Sequence, residues 1–235
     1  MKSSYLRAAL LLLLAAAAFA PAVAQQSAAP SAKPAPANAL PPDVHPESLS
    51  RLPNVRREEM DELGKKMYDT VVGGQARSIA GLQGPYGVWL HSPKLAEKVL
   101  PLIYYLRYET VLGRRLTELG ILVAARELDS QFEWSAHEPV ALKEGLEPAV
   151  IDVVRFRKST QGLGEKEALI ITLGRELFRK HKVSPATYAH AQKVFGDGGV
   201  VDLAALMGDY TSINMLINTF DIQLGPDQKP LLPMP

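Results

Sequence analysis

RRLTELGILVAARELDSQFEWSAHEPV, residues 114–140, reads as two helices joined by a short turn. Arg114 to Leu128 has helical spacing, and its middle, Leu119 to Ala125, is apolar on every side. A helix without a polar face belongs at the centre of a domain, packed on several sides. Ser130 to Glu144 forms the second helix, with Gly145 as its C-terminal stop. Working outward, Glu58 to Val72 is amphipathic and stops at Gly73-Gly74. Ser92-Pro93 supplies an N-cap and a first-turn proline for a helix to about Tyr108, with a kink expected at Pro101. Pro148 opens a short helix to about Arg157, and Glu165 to His181 is a long amphipathic one. Ser184-Pro185 starts another, which Gly196-Asp197-Gly198-Gly199 ends, and Val200 to Phe220 completes the set. No segment alternates as a strand would. The fold class is all-α, with about eight helices.

Two halves of this body show a faint likeness. Glu118 and Arg126-Glu127-Leu128 recur as Glu167 and Arg175-Glu176-Leu177, and Ala136-His137 recurs as Ala189-His190. A stacked pair of helical half-motifs would leave such a trace, as would chance among helical sequences.

The ends differ from the body. Lys2 and Arg7 precede an apolar run from Ala8 to Ala20, and Ala22-Val23-Ala24 has the small-x-small form of a signal cleavage site. Residues 1–24 are therefore expected to be a signal peptide, and the mature protein to be exported, periplasmic or secreted. Residues 25–48, rich in Ala and Pro, read as a disordered tether, because they cannot bury enough surface to offset ordering. The folded domain is expected over 49–224, followed by a Pro-rich unstructured tail over 225–235.

Composition narrows the chemistry. The chain of 235 residues has no cysteine, which removes disulfides, thiolate nucleophiles and cysteine-bound metal centres. A net charge of +1 gives no electrostatic footprint for nucleic acid. No glycine-rich phosphate loop and no Gly-x-Ser-x-Gly elbow is present. The expected partner is a small-molecule substrate, with no nucleic acid and, after signal cleavage, no membrane.

Three side chains could carry acid–base work. Glu118 shares a helix face with Ile121, Leu122 and Ala125, so its carboxylate lies in line with a buried stripe and needs a partner or a proton. Glu133 and His137 are four apart and share a face of the next helix, which the turn at Asp129 folds back toward Glu118. His137 is the candidate proton shuttle, with a glutamate setting its tautomer. Trp134, Tyr105 and Arg107 are candidates to line the pocket and hold an acidic substrate. Structural roles compete with each assignment. Ser130-x-x-Glu133 has the form of a capping box, His137 could be a satisfied core histidine, and Glu118 could pair with Arg114 or Arg115. Two carboxylates with one histidine lack the His-Glu-x-x-His zinc pattern, so no metal is assigned.

The run from Arg115 to Arg126, followed by Phe132-Glu133-Trp134-Ser135-Ala136-His137, resembles the carboxymuconolactone decarboxylase family, which includes the alkylhydroperoxidase D proteins. The likeness extends from Gly84-Pro85 and His91-Ser92-Pro93 to Asp202-Leu203 and Gly208-Asp209-Tyr210. It implies a helical, cofactor-free enzyme assembled as a homotrimer or homohexamer. In the peroxidase branch two cysteines lie four and seven residues before the histidine, and here those positions are Glu133 and Ser130. Disulfide-linked peroxide reduction therefore has no thiol to run on. The decarboxylase branch implies loss of carbon dioxide from a small carboxylated lactone, with Glu118, Glu133 and His137 as the catalytic set. A binding protein that kept the fold without the chemistry is the alternative.

Overall fold

A computed structural model describes residues 40–73 and 78–234. The signal peptide and most of the expected tether lie outside the described residues. Eight α-helices follow a 3-10 turn at Arg57–Glu59: α1 (Glu62–Val72), α2 (Pro85–Trp89), α3 (Pro93–Tyr108), α4 (Arg114–Glu127), α5 (Gln131–Lys143), α6 (Pro148–Arg155), α7 (Glu165–Lys180) and α8 (Pro185–Thr219). No strand occurs among the described residues, only an isolated bridge between His45 and Ser50.

Local chemistry sets the helix ends. α1 starts later than the apolar spacing implies, because the Asp61 carboxylate caps it by accepting from the Gly64 amide at 2.7 Å. Pro101 lies inside α3, which continues to Tyr108. The last two expected helices follow one another directly within α8 and are separated, as expected, at Gly196, whose φ of 70° and ψ of 171° break the helical path. α2 has no counterpart in the sequence reading. Five residues offer no helical period to detect.

α4 is the central helix. Every residue from Leu116 to Arg126 is buried, and α4 packs against α3, α5, α6, α7 and α8. At Gly174 α7 comes so close that a Cβ would collide with Val123 of α4 and Met207 of α8. The turn from α4 to α5 is tight. Asp129 adopts the left-handed conformation (φ 49°), and the Ser130 amide bonds back to the Ala125 carbonyl at 2.8 Å, a Schellman-type closure. Asp tolerates that conformation better than most residues, and Arg157 holds its carboxylate at 2.9 Å. This turn lays α5 back along α4 and brings two sequence-distant helix faces together.

Both flanks of the expected domain are packed rather than loose. Val44 and Ser48 are buried, and the Leu49 carbonyl accepts from the Gln223 amide at 2.8 Å. At the other end Leu232 is 3% exposed, and Arg126 donates to the Pro233 carbonyl at 2.7 Å. The Ser135 hydroxyl donates to the Lys229 carbonyl at 3.1 Å. With its amide oriented to satisfy both ends, Gln131 donates to the Leu232 carbonyl (2.7 Å) and accepts from the Leu231 amide (2.8 Å). The folded part thus begins before residue 49 and extends past residue 225. Composition missed this because a Pro-rich segment without regular structure still presents carbonyls that buried donors can bind.

The likeness between the halves does not reproduce a site. His190, the counterpart of His137, is exposed and pairs with Glu165 at 2.9 Å. Glu167, the counterpart of Glu118, binds Arg115 at 2.6 Å.

Candidate active site

Glu118 sits at the middle of α4 with no exposed surface, and His137 faces it from α5. The two meet at 2.7 Å, Glu118 Oε2 to His137 Nδ1. On the far side of the ring, Nε2 lies 3.2 Å from the Tyr210 hydroxyl and 3.4 Å from Glu133 Oε2. Tyr210 also stands edge-on to the imidazole, with centroids 5.2 Å apart. The two glutamates therefore meet opposite nitrogens of one ring. They do not converge on a common point, as ligands of one ion would.

Glu118 is held by cations as well. Its Oε1 lies 3.0 Å from Arg114 Nη2 and 3.6 Å from Arg107 Nη2, yet it makes no hydrogen bond with either. The arginines are fixed in turn, since Arg114 Nη1 donates to the Arg107 carbonyl at 2.6 Å and both guanidinium groups stack on Tyr108.

The charge states follow. Burial alone would push the Glu118 carboxyl up, but His137, Arg107 and Arg114 outweigh it and hold it below the ordinary carboxylate range. Burial alone would likewise push His137 down, but Glu118 and then Glu133 outweigh it and raise it above 6.5. Both shifts favour the carboxylate–imidazolium form of the pair, in which Nδ1–H donates to Glu118. Tyr210 stays neutral, because burial lifts it well above 10 against the pull of Arg107. Asp209, beside Tyr210 on α8, has a buried Oδ2 without a hydrogen-bond partner. Burial and then the Glu133 charge push its carboxyl up to about 6.

Of these groups, Arg107, Glu133, His137 and Tyr210 line a part-open cavity of about 30 Å³. Its polar lining is Tyr86, Arg107, Glu133, His137 and Tyr210, and its apolar wall includes Ile103, Phe132 and Ile213. Space of that size takes about two water-sized groups.

Of the six residues singled out in the sequence, Glu118, Glu133, His137 and Arg107 come together here. Trp134 and Tyr105 do not. Trp134 is fully buried on another side of α5, where its Nε1 donates to Glu138 at 2.6 Å and Arg155 covers its ring. Successive helix positions turn by 100°, so neighbouring Glu133 in sequence does not put Trp134 on the same face. Tyr105 is exposed and donates to Asp202 at 3.1 Å, since two positions from Arg107 is the opposite side of α3. No capping box forms, for Ser130 makes no side-chain capping bond and its amide donates to the Ala125 carbonyl instead of to Glu133. Arg115, the other proposed partner of Glu118, instead pairs with Glu147 and Glu167. Tyr210 and Tyr86 were missed as site residues. The sign for Tyr210 was a hydroxyl within the buried stripe of Leu203, Leu206, Met207, Ile213 and Ile217 on α8.

No family model and no curated protein matches the chain. Among solved structures, it is similar to an uncharacterized peroxidase-related protein from Ralstonia eutropha JMP134, described as an alkylhydroperoxidase AhpD core. The TM-score is 0.60 at 14% identity, over 78% of this chain and 95% of that one. The helix order, the central α4 and this likeness together identify the architecture: the chain has the alkylhydroperoxidase D-like helical fold.

Proposed function

We propose that this protein is a cofactor-free acid–base enzyme of the carboxymuconolactone decarboxylase type, releasing carbon dioxide from a small carboxylated lactone or a similar acid. The observation that carries the reading is the buried Glu118–His137 pair at 2.7 Å, with the second ring nitrogen turned toward the cavity. A chain without cysteine has no thiol for peroxidase chemistry.

In this mechanism the bond between the carboxylate carbon and its neighbour breaks. Carbon dioxide leaves, and the electron pair passes into the conjugated carbonyl as an enolate. The imidazolium of His137 then delivers the Nε2 proton to carbon. Glu118 keeps Nδ1–H in place throughout, so the acid is a single, oriented N–H. Glu133 and Tyr210 flank Nε2 and are placed to return the proton from water. The net change is one proton taken up for each carbon dioxide lost. With the leader removed, this chemistry runs in the periplasm or outside the cell, in a homotrimer or homohexamer.

The test is carbon dioxide release from 4-carboxymuconolactone and a panel of related lactones and keto acids by residues 25–235. His137→Ala is assayed in parallel, with circular dichroism to confirm its fold. Turnover by the parent and none by the folded variant supports the reading. Turnover that survives in His137→Ala removes the proposed acid, and no turnover on the panel favours a binding role.

A further inference from the structure

One cavity-lining residue carries a buried donor without a partner. Arg107 is 3% exposed, and its Nε–H makes no hydrogen bond. The side chain cannot turn to find one, because Tyr108 stacks against the guanidinium and Nη2 is drawn toward Glu118. Arginine keeps its charge in any protein site, so this is a permanent cation with an unpaired N–H on a residue that lines the cavity. Tyr86 stands beside it on the cavity wall. Ile103 and Ile213 contribute apolar wall to the same cavity, and Glu133, His137 and Tyr210 are its other polar groups.

We propose that Arg107 Nε–H, with Tyr86 beside it, is an oxyanion subsite for the substrate carbonyl oxygen that gains charge as carbon dioxide departs. The assignment of that oxygen rests on the decarboxylase reading. The subsite itself rests on the unpaired buried donor. A fixed cation aimed at developing charge stabilises the transition state more than the ground state. The same cation placed on the departing carboxylate would stabilise the ground state and slow the reaction, so the carboxylate belongs against the apolar wall. With room for about two water-sized groups, the subsite takes a compact, singly charged oxyanion. The substrate class is then an acid whose carboxylate sits on the carbon next to a carbonyl, or one double bond further along, so that the electron pair left by carbon dioxide passes into that carbonyl as an enolate. Its bulk remains outside the cavity as it stands.

Formate is a probe of the right size and charge. In arginine-labelled wild-type protein, titration with sodium formate is expected to shift the ¹⁵Nε resonance of Arg107 saturably, with sodium chloride at equal ionic strength leaving it in place. No saturable shift, or the same shift with chloride, overturns the subsite. This arm requires no variant and no turnover. In the carbon dioxide assay, Arg107→Lys is expected to lower kcat about 100-fold with KM changed less than threefold, the effect of losing one oxyanion donor. A raised KM with unchanged kcat overturns the oxyanion role and assigns Arg107 to ground-state anchoring. Formate binding at Arg107 without turnover on the panel leaves the subsite supported and removes the decarboxylase reading. Turnover without formate binding does the reverse.

Discussion

Glu118 Oε2 and His137 Nδ1 lie 2.7 Å apart, nineteen residues distant in sequence, with neither side chain more than 4% exposed. A contact between opposite charges at that depth is strongly coupled, and removing one partner leaves the other buried and uncompensated. Glu118→Gln is expected to destabilise the fold by about 3 kcal/mol and to lower carbon dioxide release by about 100-fold. It should also return the His137 titration toward or below its ordinary value, since burial then acts without its chief opponent. An NMR titration of the imidazole decides the point. An unmoved His137 pKa would mean that Glu118 does not set its charge.

The same pair sets a pH window for stability. His137 has its folded pKa raised above 6.5, so its contribution is complete below 6.5 and is lost as pH rises through the folded value. Glu118 has its folded pKa lowered, so its contribution is complete above 4.5 and is lost as pH falls through the depressed value. Thermal stability should therefore fall on both sides of roughly pH 4.5–6.5. His137→Gln should flatten the alkaline limb, as scanning calorimetry across pH 3–9 would show.

Helix periodicity made most of this arrangement readable. An i, i+4 spacing places Glu133 with His137, and the all-apolar middle of α4 marks the helix every other element must cover. The turn at Asp129 then forces the two faces together. The same spacing also links Trp134 to Glu138, one step around α5, and that pair is structural. Sequence adjacency to Glu133 was the wrong guide to the face that Trp134 occupies. Tyr210 is 73 residues from His137, and its approach depends on how α8 crosses α4, which no local pattern encodes. The tail escaped notice because what fixes it is the set of donors on α4 and α5, remote from its own composition.

Trp134→Phe separates the structural role from a binding one. The substitution keeps the apolar body, removes the Nε1–H donor and leaves Glu138 with Arg155 alone. A loss of about 1–2 kcal/mol is expected from the unsatisfied acceptor. KM should stay within twofold of the parent, because Trp134 does not line the cavity. A large KM effect at unchanged stability would return Trp134 to the site.

Asp209 gives the opposite sign. Its folded pKa, about 6 against an ordinary 3.8, means that ionisation works against the fold as pH rises between those values. Asp209→Asn should stabilise the protein by about 1–2 kcal/mol at pH 8, where partial exposure moderates the shift, and by almost nothing at pH 3.5. Denaturant melts at the two pH values test this directly. Equal effects at both would mean that the burial of charge is not what Asp209 contributes.

The C-terminal segment offers the last test, because composition and structure disagree about it. If residues 229–235 were a loose tail, ending the chain at Gln228 would change nothing. In the fold, that deletion uncovers the surface beneath Leu232 and removes acceptors from Arg126 and Ser135, along with the contacts of the Gln131 amide to Leu231 and Leu232. Burial of one leucine and loss of several hydrogen bonds together correspond to about 3 kcal/mol. At this domain size the melting temperature should drop by about 6–12 °C. The loss should be local at first, since α5 carries both the anchoring Gln131 and the catalytic candidates Glu133 and His137. Hydrogen exchange in the first turn of α5 should therefore accelerate before the rest of the domain unfolds. Unchanged exchange there, with an unchanged melt, would show that the segment rests on α5 without holding it.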